Sequence, residues 1–130
     1  MTAVNVPVLM LVGEKDGVAA GSLPDDLDAS GYNRMKHTFE NFIPPSLDYS
    51  RHMVVIKGAN HLSIATMPDP MVDRSFLDEK EGIISRTVAH QIMREKVTAF
   101  VEYYVRGNPS ALSVLTESEE SPYVLEYASK

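Results

Sequence analysis

The stretch that most limits what this chain can fold into is Val6–Val12, VPVLMLV, stopped at once by Gly13-Glu14-Lys15-Asp16-Gly17. Its apolar side chains follow one another without the alternation of a half-solvated strand. A strand here must be covered on both faces, as in a parallel sheet. A short core helix is the rival reading, and seven residues fenced by Pro7 and Gly13 favour the strand. Pro7 has no ladder donor, so it belongs among the first residues of the strand. The strand then ends on an acid held between turn residues. Asp-Gly is a common turn pair, and taken alone Asp16 needs no further role.

A second run, Met53-Val54-Val55-Ile56, is cut off by Lys57-Gly58 and reads as another short buried strand. Between the two runs, residues 17–31 are turn-rich and acidic and read as a loop. Tyr32–Phe42 places Met35, Phe39 and Phe42 at helical spacing, and Pro44-Pro45 ends the helix. Residues 65–82, with Pro68 and Pro70, read as a long surface loop. Ser85–Arg106 is the clearest helix. Ala89, Ile92, Met93, Val97, Phe100, Val101 and Tyr104 mark its core stripe, and Gly107 and Pro109 stop it. Ser110–Leu115 adds a short helix, and Tyr123–Tyr127 reads as an extended tail.

This order of elements is an α/β pattern with parallel strands. Two strands are too few for a sheet covered on both sides, so the pattern reads as the end of a larger α/β domain. Residues 1–130 form a single partial domain, with 107–130 as a peripheral tail.

Composition removes several classes of function. Twelve Lys and Arg against 18 Asp and Glu leave a net charge of −6, and no basic cluster offers a footprint for nucleic acid. The absence of cysteine excludes disulfides, thiol nucleophiles and Cys-based zinc sites, and fits a cytoplasmic protein. No apolar run approaches the ~20 residues that span a bilayer. The first residues lack the basic start of a signal peptide. His37, His52 and His90 share no metal-ligand spacing with acids or with His61. Asp25, Asp26 and Asp28 lack the glycine and distal glutamate of a calcium loop. No metal and no cofactor is implied.

Working residues of open α/β sheets sit on loops at the carboxyl ends of the strands. The first strand leads into Glu14-Lys15-Asp16-Gly17 and the second into Gly58-Ala59-Asn60-His61. Parallel neighbours bring both loops to one end of the sheet. Asp16 and His61, 45 positions apart, could then meet as the orienting acid and the base of a catalytic triad. Each residue has a plainer reading, Asp16 as a turn residue and His61 as a loop histidine held by backbone; their joint placement favours the pair. Glu14 and Lys15 read as solvated charges and Asn60 as a turn residue. Leu62 and Ser63 are merely adjacent to the base.

With "VPVLMLVGEKDGV" around Asp16, "MVVIKGANHLS" around His61 and a long amphipathic helix afterwards, the chain resembles the C-terminal part of an α/β-hydrolase, over residues 6–106. The resemblance extends to serine esterases, lipases and dienelactone-hydrolase-like proteins. It implies a partial α/β-hydrolase fold holding the last two parallel strands, hydrolysis of a small ester-like substrate, Asp16 as the acid and His61 as the base. The family order is nucleophile, acid, base, and the last two follow that order here. The nucleophile is the departure. No serine sits in a G-x-S-x-G elbow: Ser22 follows Gly21 and Ser30 precedes Gly31, each without the remaining glycine, and Ser63 comes after the histidine. The implied expectation is an acid–base segment inactive by itself. The alternative is a non-catalytic module or half-domain that pairs through its open first strand, with a second copy or with an N-terminal half.

Overall fold

A computed structural model describes residues 5–16, 31–64, 84–117 and 121–130. The elements, in chain order, are strand β1 (Val8–Gly13), helix α1 (Gly31–Phe42), strand β2 (Arg51–Ile56), a 3-10 turn (His61–Ile64), helix α2 (Arg86–Tyr104), helix α3 (Ala111–Thr116) and strand β3 (Val124–Ser129). The loop expected at 17–31 lies outside the described residues apart from Gly31, and so does the loop expected at 65–82.

The three strands form one sheet in the order β1-β2-β3. β1 runs parallel to β2, with Val8 opposite Arg51 and Gly13 opposite Ile56. β3 runs antiparallel to β2, with His52 opposite Ser129 and a bulge beside Val55 and Ile56. The architecture is α/β with a mixed sheet.

β2 is buried at every position, as the apolar run Met53–Ile56 requires, and the burial extends to Arg51 and His52 before it. Met53 and Val55 face α1, where they join Val12 and Phe39, with Met10, Tyr32, Met35 and Ile43 packed around them. Val54 and Ile56 face α2, where they join Ala59, Ile92 and Val124, with Leu9, Leu11, Val88 and Tyr127 packed around them. Successive side chains of a strand point to opposite faces, so each of these residues adds to one of two cores. One helix on each face therefore suffices to cover this small sheet, contrary to the expectation that it is too small to be covered twice.

The segment read as a tail is not peripheral. It is extended, as expected, but it pairs with β2. Its last residue closes the ladder: Arg51 N donates to Lys130 O at 2.7 Å and Lys130 N to Arg51 O at 3.1 Å. β3 also holds α1. Tyr32 Oη donates to Glu126, Lys36 Nζ lies 3.0 Å from Glu126 Oε1, and Lys130 Nζ donates to the carbonyls of Phe39 and Glu40 near the helix C-terminus. A cation there favours the negative end of the helix dipole.

Helix α2 begins where Ser85 Oγ accepts from Val88 N, at 3.3 Å, a side-chain N-cap. Its buried face differs from the expected stripe. Ala89, Ile92, Lys96 and Ala99 are buried, while Val97 and Val101 are exposed. The cause is α3, which folds back so that Ala111 and Leu115 pack on Ala99. Lys96, only 3% exposed, donates to Val114 O at 2.5 Å and Glu117 O at 2.8 Å. It satisfies carbonyls at the end of α3 that have no intrahelical partner. Burial lowers its pKa.

Candidate active site

The site is assembled at the carboxyl ends of the parallel pair. β1 ends at Gly13 and β2 at Ile56, directly opposite each other, and both chains then turn away from the sheet. An alanine at 13 would place its Cβ 2.6 Å from the Ala59 carbonyl oxygen, so only glycine lets the two turns approach this closely. Glu14 N donates to Ile56 O at 3.0 Å and Lys15 N to Ala59 O at 2.8 Å. Gly58 takes φ 70°, the left-handed region that glycine enters without penalty.

The turns bring the expected residues together. His61 Nδ1 lies 3.3 Å from Asp16 Oδ2. The Asp16 side chain is 14% exposed and that of His61 48%. A carboxylate only accepts, so the ring proton of this pair sits on Nδ1. In a neutral ring of that tautomer, Nε2 is the nitrogen suited to act as a general base.

Asn60 and Ser63 form a buried frame around His61. Asn60 Oδ1 accepts from Ser63 N at 2.9 Å and from Ser63 Oγ at 2.9 Å, and Ser63 Oγ accepts from Asn60 N at 3.0 Å. This reciprocal arrangement at the start of the 3-10 turn is the logic of a capping box. Asn60 thus does more than turn the chain, and its spacing of three from Ser63 was the available signal. The Ser63 hydroxyl is buried and bonded to Asn60, which does not suit it to be activated by His61. Ser22 and Ser30 lie outside the described residues.

Glu14 is the other residue that sequence reasoning missed. The sequence presents it as a solvated charge. Its Oε2 accepts from Gly58 N at 2.8 Å, across from one turn to the other. Lys15 does behave as a surface charge, 3.7 Å from Glu14 Oε1 and half exposed.

The remaining histidines stand apart. His52 is buried in β2, its Nδ1 2.7 Å from Tyr127 Oη and its Nε2 2.6 Å from Tyr104 Oη. Tyr104 Oη in turn donates to Ser50 O at 3.3 Å. Burial lowers the His52 pKa and raises those of both tyrosines. His37 contacts Asn41 and Phe42 on α1. Among the described residues no group of three His, Asp or Glu side chains could hold a metal, and no helix is long and apolar enough to cross a membrane.

Comparison of the chain with protein-family models, curated proteins and solved structures found no match.

Proposed function

We propose that this chain is the acid–base segment of a serine-type α/β-hydrolase acting on an ester or related acyl substrate. The observation that carries the reading is the approach of Asp16 to His61 at the ends of two parallel strands. Asp16 holds the imidazole with Nδ1–H toward itself. His61 Nε2 takes the proton of a serine hydroxyl as that oxygen attacks the acyl carbon. It then returns the proton to the departing alcohol, and repeats the cycle with water. The serine and the oxyanion donors come from outside these 130 residues. The cysteine-free composition supports a cytoplasmic setting.

The test is labelling with a fluorophosphonate probe read by intact mass. The 130-residue chain is compared with the same chain joined to any upstream reading frame its gene encodes. Labelling of the joined form alone is expected, with no ester turnover by the short chain. Labelling of the short chain at Ser22, Ser30 or Ser63 would overturn the assignment of the nucleophile.

A second reading has an observation of its own. Among the described residues β1 is paired on one side only, and Val8–Gly13 carries no charge to guard its other edge. On that reading the chain is a non-catalytic half-domain that pairs through β1 with a second copy or an N-terminal half. Absence of labelling in either form, with a dimer seen by light scattering, would favour it. A monomer would count against it.

A further inference from the structure

The Asp16–His61 contact, at 3.3 Å, lies just beyond the usual N–H···O range of 2.7–3.2 Å. A relative shift of a few tenths of an ångström between the two turns separates the groups. What fixes one turn against the other therefore decides whether the pair exists.

Besides that contact, Glu14 and Lys15 make three bonds across the turns. Two are made by backbone alone, Glu14 N to Ile56 O and Lys15 N to Ala59 O, and side-chain identity does not enter them. The third does depend on a side chain. Glu14 Oε2 accepts from Gly58 N at 2.8 Å, in a carboxylate that is 24% exposed. A hydrogen bond to an ionised acceptor is shorter and stronger than a neutral one. It ties a point two residues before Asp16 to a point three residues before His61. Gly58 is also where the backbone adopts φ 70° and leaves the sheet direction, so its N–H marks the start of the path that delivers His61.

We infer that Glu14 is the positioning residue of the acid–base pair. It is not itself a member of that pair. Its carboxylate clamps the turn after β2 to the turn after β1, and so keeps His61 Nδ1 against Asp16. This inference rests on reading Asp16 and His61 as a working pair, and its test separates the two claims.

The readout is the imidazole tautomer of His61 in the full 130-residue chain, from ¹⁵N shifts and long-range ¹H–¹⁵N couplings at about pH 9, where imidazoles are neutral. Free imidazole side chains favour the proton on Nε2. A carboxylate at Nδ1 moves it to Nδ1. Four variants are compared with the parent: Asp16→Ala, Glu14→Ala, Glu14→Asp and Glu14→Gln. Glutamine keeps a carbonyl oxygen at the reach of Glu14, whereas aspartate keeps the charge and loses the reach.

The expected result is an Nδ1–H signal in the parent and in Glu14→Gln, lost in Asp16→Ala, Glu14→Ala and Glu14→Asp. Melting temperatures taken on the same samples show that the loss is not unfolding. Should Glu14→Ala fail to fold, Glu14→Asp decides. An Nδ1–H signal that disappears in Asp16→Ala but survives in Glu14→Asp overturns the clamp and leaves the pair standing. A tautomer that ignores Asp16→Ala overturns the pair itself. Loss in Glu14→Gln equal to that in Glu14→Ala, with the signal kept in Glu14→Asp, overturns the hydrogen bond as the cause, because charge alone would then explain the effect.

Discussion

Replacing Gly13 by alanine tests the meeting of the two turns most directly, because crowding and chain entropy push stability in opposite directions. The new Cβ would lie 2.6 Å from the Ala59 carbonyl oxygen and 3.0 Å from its carbon, both backbone atoms. To reach the ~3.3 Å at which carbon meets a carbonyl oxygen in sheets, the turns must part by about 0.7 Å. Overpacking of this kind costs roughly 1–3 kcal/mol. Parting the turns also stretches the 2.8 Å bond from Lys15 N to Ala59 O, with a net worth of about 1 kcal/mol. Against this, Gly13 is not among the positive-φ glycines. Alanine there would stabilise by about 0.4–1 kcal/mol if nothing stood in its way, by narrowing the unfolded ensemble. The net expectation is a loss of about 2 kcal/mol, or roughly 7 °C in Tm for a domain of this size. Thermal unfolding followed by circular dichroism reads it. Gly107→Ala is the reference: its Cβ would meet nothing within 4 Å, and its φ of 69° alone opposes the change, at about 1–2 kcal/mol. A Gly13→Ala protein as stable as the parent, or more so, refutes the close approach and with it the geometry of the acid–base pair.

Other outcomes follow from the same contacts. His52 is buried with its pKa lowered, so the unfolded chain binds a proton before the folded one. Stability should be full above about pH 6.5 and fall as the pH drops through the lowered native value; urea midpoints at about pH 8 and pH 5 should differ less in His52→Phe. Lys96→Met removes the donor to Val114 O and Glu117 O and should cost about 1–3 kcal/mol, with amide exchange accelerating in α3 before it does in β2. Ser63→Ala removes one half of the frame around His61 and should lower Tm by the equivalent of about 1 kcal/mol, whereas Arg106→Ala, at an exposed ion pair, should leave it unchanged.

The sequence was most readable where burial dictates residue type. Val8–Val12 of β1 and Met53–Ile56 of β2 form unbroken apolar runs, and this made the ends of the strands, and hence Asp16 and His61, easy to place. Glu14 was not readable in the same way. A glutamate in a turn looks the same whether it meets water or a single N–H 44 positions away. β3 was hidden for a related reason. Leu125 and Ser129 are exposed and Glu126 serves α1, so the strand lacks the apolar signature of its neighbours. The face of α2 differs from the expected stripe because α3, legible as a short helix but not in where it packs, draws Lys96 and Ala99 inward and leaves Val97 and Val101 exposed.

The central strand is also the one whose partners are farthest away along the chain. Val8 pairs with Arg51, and His52 with Ser129. During synthesis β1 and β2 can meet as soon as residue 56 is free. The other edge of β2, backing the most apolar residues of the chain, has to wait until residue 129 has been added. Contacts this remote in sequence form slowly, and an unpaired apolar strand invites pairing with other chains meanwhile. The chain therefore has an interval in its birth when it is most prone to aggregate, and that interval closes only when β3 has been made. Nascent chains with only the residues before Val124 outside the ribosome should be held by ribosome-associated chaperones more than chains with β3 also outside.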